Sequence, residues 1–293
     1  MTERYNKNVT DSQQYDEMCK NIAEAEQCVE MALSLALCGK HEQALNTINR
    51  ALELDPQFAE AYNKKGDCLY KLGRIEEALE AYKKSQEIDP DLQNNYFDLG
   101  KTYLLLKDYE NSLENFKKAN SMKPQSEIHA YIGVIYFEQN KYDEALESFD
   151  HMLKENSSHT MSVYYTGMIL MAKGETKKAE EMFDRIIDKY SKMCNLKQRF
   201  AEGHYYIGKA QFFKGEYEKA EKNIELAIEF DTDAIYNHYS FDMFYTDAEA
   251  FATLAEIQNK LGKRDSAKEN ILKAVSLEPN NKKLLDLKTK LGY

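Results

Sequence analysis

Along most of the chain apolar side chains return every three or four residues, with polar and charged residues between them. That is the spacing of amphipathic helices. The stretch from Ala59 to Leu92 shows it most clearly. Tyr62, Gly66 and Leu69 stand three or four apart, and Leu72-Gly73 closes the block. Glycine is the usual residue where the chain turns left-handed after a helix. A second block carries Ala78, Tyr82 and Ser85, and Asp89-Pro90 stops it, since proline cannot continue a helix. The pattern predicts helix, tight turn, helix, turn. Gly66 and Ala78 are small enough for the two helices to touch there, while Tyr62, Leu69 and Tyr82 fill the space around that contact.

The same block recurs. Aligning Ala44, Ala78, Ser112, Ala145, Ala179, Ala220 and Ala267 gives successive gaps of 34, 34, 33, 34, 41 and 47 residues. A period of this size marks an array of stacked units, because one helical hairpin cannot bury its apolar faces alone. Such an array offers a long surface rather than an enclosed catalytic pocket, so binding is the expected role.

The unit resembles the tetratricopeptide repeat. Seven candidate units start at Ala25, Ala59, Gln93, Ser126, Thr160, Ala201 and Ala248. Their eighth positions hold Ala32, Gly66, Gly100, Gly133, Gly167, Gly208 and Ala255. Their twenty-fourth hold Ile48, Tyr82, Phe116, Phe149, Phe183, Ile224 and Ile271. The family's terminal proline survives as Pro56, Pro90, Pro124 and Pro279; units four to six lack it, which predicts longer or less sharp exits. The helix-to-helix turn carries Gly39, Gly73, Gly174, Gly215 and Gly262, with Asn140 once and Lys107 as the departure. The resemblance implies an all-α fold, a right-handed superhelix of antiparallel helix pairs over residues 25–281.

Three parts fall outside the period. Residues 1–24 read as an N-terminal extension and lead-in helix, and residues 282–293 as a capping helix with Leu284, Leu285, Leu287 and Leu291 among lysines. Insertions lie near 190–200 and 231–247. The second holds Tyr236, Tyr239, Phe241, Phe244 and Tyr245, either packed back on the array or offered as a secondary interface.

In this family the first helix of each unit lines the concave face. Carried over, that implies a polar stretch in unit two (Asn63, Lys64, Asp67) and three (Asp98, Lys101). An aromatic and methionine surface follows in units four to six: Tyr131, Val134, Phe137, Met161, Tyr164, Tyr165, Met168, Tyr205, Tyr206 and Phe213. Unit seven turns polar again with Glu249, Thr253 and Glu256. The expectation is a groove for an apolar peptide or helix, with mutual packing of these side chains as the competing reading. Acids outnumber bases at the groove positions, which suits a partner carrying some Lys or Arg. The carboxylate clamp of chaperone-binding relatives needs Lys and Asn where this chain has Asn63, Asp67, Asp98, Glu127 and Tyr131. No acidic chaperone tail is expected to bind.

Composition narrows the classes further. The net charge of −11 and the absence of a basic stripe argue against nucleic acid. No run of apolar residues reaches membrane-spanning length, and no secretory signal opens the chain, so a cytoplasmic protein is expected. The five cysteines lack CxxC spacing; Cys28 and Cys68 fall inside helices and read as buried thiols. His129 and His204 read as core residues, and no metal, cofactor or catalytic motif is expected. The reading is a scaffold or adaptor. A structural subunit held through the insertion, a sensor of a small apolar ligand, and self-association stand as alternatives.

Overall fold

The computed structural model describes residues 12–196, 200–230, 238–239 and 244–293. Its helices are α1 (Ser12–Leu37), α2 (His41–Leu54), α3 (Ala59–Lys71), α4 (Ile75–Ile88), α5 (Gln93–Leu105), α6 (Tyr109–Met122), α7 (Ser126–Glu138), α8 (Tyr142–Glu155), α9 (Thr160–Ala172), α10 (Thr176–Leu196), α11 (Ala201–Phe213), α12 (Tyr217–Phe230), α13 (Asp247–Lys260), α14 (Arg264–Leu277) and α15 (Lys282–Lys290). The one departure from an all-helical chain, among the described residues, is a two-residue antiparallel ladder, β1 (His238–Tyr239) with β2 (Phe244–Tyr245). Odd and even helices pair as hairpins, α1 with α2 through α13 with α14, and α15 packs on α14. The chain forms two compact units, Met1–Pro124 with repeats 1–3 and Gln125–Tyr293 with repeats 4–7 and the cap.

A steric match sets the distance between the helices of each hairpin. A methyl group added at Gly66 would sit 2.5 Å from the Tyr82 ring, at Gly100 2.7 Å from Phe116, at Gly133 2.6 Å from Phe149 and at Gly167 2.9 Å from Phe183. Each ring lies flat on a bare backbone. Repeats 1 and 7 have Ala32 and Ala255 instead, and there the facing residue is the slimmer Ile48 or Ile271. Repeat 6 combines glycine with the slimmer residue, Gly208 against Ile224 at 2.7 Å, so volume is traded at the two ends of the array and not at every contact. The aligned column of Ala44, Ala78, Ser112, Ala145, Ala179, Ala220 and Ala267 has no solvent exposure. Ser112 keeps its hydroxyl there by donating 2.7 Å to the Gly100 carbonyl.

The turns inside the hairpins share one geometry. At Gly73 the amides of Gly73 and Arg74 reach back to the carbonyls of Tyr70 and Leu69. Lys107 makes the same two bonds through its own amide and that of Asp108, with φ at +60°. The departure in sequence is therefore no departure in shape, and the lysine side chain is forced into the left-handed region that costs an L-residue roughly 1–2 kcal/mol. Asn140 does the same at φ +59°.

The exits differ from the sequence reading in one place. Repeat 4 has no proline, yet its exit is neither longer nor looser. Four residues separate α8 from α9, as between α4 and α5. Asn156 accepts from the Ser158 amide at 3.1 Å, the bond Asp89 makes with Asp91 in repeat 2. An Asx side chain sets the turn, with or without the proline. Repeat 5 does lengthen, because α10 runs on to Leu196. Repeat 6 leaves into the partly undescribed insertion.

Ion pairs tie successive repeats of the second unit: Lys173 with Asp143, Lys214 with Asp184, and Lys263 with Glu221. At its far end the Lys283 ammonium of α15 stands 3.3 Å from Glu138 of α7.

Two substitutions test this packing. Gly133→Ala is expected to cost about 1–3 kcal/mol through overpacking against Phe149, while Lys107→Gly is expected to stabilise by about 1 kcal/mol. Urea unfolding of each variant beside the wild type reads both, and a stabilising Gly133→Ala would contradict the contact described.

Candidate functional site

The first helices of repeats 4 to 6 bring the aromatic residues together, but unevenly with respect to solvent. Tyr131, Val134, Met161, Tyr164, Tyr205 and Tyr206 are all buried, Tyr206 to 1%. Phe137, Tyr165, Met168 and Phe213 are half-buried. Ring-on-ring packing links the two groups. Phe137 meets Tyr165 edge-on at 4.9 Å, Tyr165 meets Tyr164 at 5.4 Å, and Tyr164 meets Phe213 at 5.8 Å. Phe213 in turn stacks on Phe183 at 5.3 Å. Six of the ten residues are thus covered within the chain and four are half-exposed.

The insertion joins the same network at one point. Tyr245 is buried and stacks on Tyr205, ring centres 4.0 Å apart and planes 12° off parallel. Tyr245 thus packs inward instead of standing out for a partner. Tyr239 and Phe244 are paired in the backbone ladder. Tyr236 and Phe241 lie outside the described residues.

Where α9, α11 and α13 come side by side they enclose a cleft of about 210 Å³. Its lining is Tyr164, Tyr165, Tyr205, Tyr206, Lys209, Glu249, Ala252, Thr253 and Glu256. Burial pushes the Tyr164 hydroxyl well above the ordinary tyrosine range, and the charges of Glu249 and Glu256 add to it. Burial also raises Tyr205, opposed by the nearby charge of Lys209 and by hydrogen bonding with Thr253. Both stay protonated.

Glu249 opens α13. Its backbone amide donates to Thr246 Oγ1 at 3.1 Å and its carboxylate accepts from the Thr246 amide at 3.3 Å, a reciprocal cap. Its side chain keeps contact with water in the groove, yet protein crowds it on the inner side. That desolvation raises its carboxyl above the usual range, helped by Glu278 and opposed by Lys209, the Thr246 amide and Lys283. Glu256 is half-buried and makes no hydrogen bond or ion pair among the described residues. Lys209 pairs with neither glutamate and instead lies 5.7 Å over the Phe213 ring.

The sequence reading named Glu249, Thr253 and Glu256 as groove positions but did not bring them into the site, and it passed over Lys209. Lys209 follows Tyr205 by one helical turn, and Glu256 follows Glu249 by two. Helical phase would have placed them on the lining face; that α13 folds back onto the tyrosines needed the tertiary structure.

The polar inner positions of the first unit are spent internally. Asn63 is buried and donates to Asn95 Oδ1 and Asp98 Oδ2, each at 3.3 Å. Asp67 accepts from the Tyr82 hydroxyl at 2.9 Å and pairs with Lys64 at 2.8 Å, and Asp98 pairs with Lys101 at 2.8 Å.

The histidines correct the core assignment. His129 is half-buried and stacks on His151 at 4.9 Å, and His204 is half-buried with Nδ1 2.9 Å from Asn223 Oδ1. Both sit at the rim of the helix contact because a polar ring that keeps water on one side escapes full desolvation. His159 caps α9, accepting from the Ser162 amide. Cys68 is buried, its thiol pushed up to about 11 by desolvation, whereas Cys28 is only partly covered. Among the described residues no three His, Cys, Asp or Glu side chains converge as metal ligands. No helix there is long and apolar enough to cross a membrane.

Comparison with known proteins agrees on the architecture. Tetratricopeptide repeat models match residues 29–92 and 132–193 and, in a second form, 201–233 and 248–281. A model described as regulator of microtubule dynamics protein 1-3 matches residues 73–127. No curated protein sequence matches the chain. Among solved structures, a tetratricopeptide repeat protein from Parabacteroides merdae superposes with a TM-score of 0.64 at 16% identity, covering 92% of this chain and 100% of that one. The APC/C hetero-tetramer Cut9-Hcn1 gives 0.64 at 14% identity, covering 89% of this chain but 48% of that one. MamA from Desulfovibrio magneticus RS-1 gives 0.50 at 17% identity over 55% of this chain and 92% of that one. At these identities the likeness is one of fold.

The Glu249 shift carries a pH signature. Its pKa is higher in the folded chain than in the unfolded one, so the ionised side chain is a net cost at neutral pH. That cost fades as pH falls through the folded value toward about 4.3, where both states become protonated. Glu249→Gln keeps the capping geometry. It is expected to melt above the wild type at pH 7 and to lose that lead below about pH 4. Circular dichroism melts across pH check this; a lead that persists in acid would show that the charge is not its source.

Proposed function

We propose, for a chain that belongs to the tetratricopeptide repeat family, that it is a protein-interaction scaffold whose second unit receives an apolar peptide or helix of a partner protein along α7, α9 and α11. Phe137, Tyr165, Met168 and Phe213 are the contacts. The buried Tyr131, Val134, Met161, Tyr164, Tyr205 and Tyr206 form the rigid floor that holds them. The observation that carries the reading is the half-exposure of four large apolar side chains beside a tyrosine-lined cleft. Rigid aromatic side chains lose little conformational freedom on binding and dominate interface energetics. Methionine adds adaptability to an irregular apolar surface.

The cleft also bears on the small-ligand alternative. At about 210 Å³ it is smaller than the roughly 300–1,000 Å³ typical of sites that engulf an organic ligand. One side chain of a longer partner suits it better than a free molecule. The insertion offers less support as a primary interface, because Tyr245 is committed to Tyr205.

A photo-crosslinking residue placed at position 165 is expected to capture a protein partner, and the same residue placed at the exposed Glu110 is not. For the captured partner, Tyr165→Asp is expected to weaken binding by at least about tenfold, as for a truncated hot spot, measured by titration. Equal affinity for wild type and Tyr165→Asp would move the interface elsewhere.

A further inference from the structure

We infer that the cleft between α9, α11 and α13 is a receptor for the guanidinium group of an arginine carried by the bound peptide. The inference rests on the groove reading above and adds to it the chemistry of one anchoring residue.

The buried carboxylates Asp55, Asp98 and Glu221, and the half-buried Asp67, have partners within the chain. Asp55 accepts from the Gln57 amide, Asp67 and Asp98 pair with Lys64 and Lys101, and Glu221 pairs with Lys263 at 2.6 Å. Desolvated charge is costly unless matched in this way. Glu256, like Glu26 and Glu180, is half-buried with no such partner among the described residues, but of these three it is the one that lines the tyrosine cleft. Glu249, on the same face of α13, engages only the Thr246 amide that it caps.

The cation at hand does not fill the gap. Lys209 lines the cleft but forms no ion pair with either glutamate. Two carboxylates against one ammonium leave the lining with a formal charge of −1.

The remaining walls select the form of the missing cation. Tyr164, Tyr165, Tyr205 and Tyr206 surround the charge with aromatic rings. A flat, weakly hydrated guanidinium stacks on such faces while its edge donates to a carboxylate; an ammonium is more strongly hydrated and gives up more on entry. Charge-assisted N–H bonds to Glu256 are short and strong. An incoming positive charge offsets the desolvation that raises Glu249 through Coulombic attraction, in the same sense that Lys209 and Lys283 already oppose it. The volume of about 210 Å³ admits one side chain and leaves the peptide backbone outside, along the half-exposed Tyr165.

The test uses the full chain and an array of capped pentapeptides. Their outer positions are mixtures of Leu, Phe and Ala, and their central residue is arginine, lysine or citrulline, the neutral isostere of arginine. Arginine peptides are expected to bind at least about tenfold more tightly than citrulline peptides, with lysine between. Glu256→Gln is expected to erase the difference by weakening the arginine peptides. Lys209→Gln, which removes a competing charge without adding a contact, is expected to widen it severalfold, a gain that damage to the fold would not produce. Thermal melts confirm that both variants fold. Equal binding of arginine and citrulline peptides would overturn the cation receptor and leave the groove reading standing. No binding of any peptide at millimolar concentration would overturn both.

Discussion

Everything in this chain hangs on how closely two helices of a hairpin can approach. A glycine backbone under the ring of Tyr82, Phe116, Phe149 or Phe183 brings the axes together until the ring itself is the spacer. Dispersion forces of that kind are individually small and fail quickly with a gap of half an ångström. The aligned column of fully buried small residues completes each contact. Because the same match recurs in successive hairpins, within each unit every hairpin presents the same face to the next, and the first helices of that unit fall into line.

That alignment explains the inner face of the second unit. The large side chains of repeats 4 to 6 stand near enough to pack on their neighbours, and most of them do. What stays open is the edge of the network, where Phe137, Tyr165, Met168 and Phe213 are only half-covered. The polar face of repeat 7 then closes against this edge. A cleft with tyrosines on two walls and glutamates on the third is the result of an apolar array ending on a polar one.

Much of the architecture was legible from periodicity, because the signals are local. Helix starts at Ala59, Gln93, Ser126, Thr160 and Ala201 coincide with the first residues of the repeats. The exit of repeat 4 was misjudged because proline is the conspicuous stop signal and the Asn156 side-chain turn is a quieter one. The candidate site was only partly legible. Residue type and helical phase identify which side chains face inward, but burial depends on how far the neighbouring helix stands away. Six of the ten aromatic and aliphatic candidates are covered for that reason. The participation of Lys209, Glu249 and Glu256 depends on contacts between helices far apart in sequence, which no local pattern encodes.

The Lys283–Glu138 pair bears on how the second unit responds to salt. It joins the cap to the first helix of repeat 4, so four hairpins and the cap make a closed circuit of contacts. The closing link is a single solvated ion pair, and such pairs contribute on the order of 0–1 kcal/mol and weaken with salt. A link of that strength is the first contact between the cap and repeat 4 that added salt would loosen, while the buried hairpin contacts, which carry no charge, would feel it little.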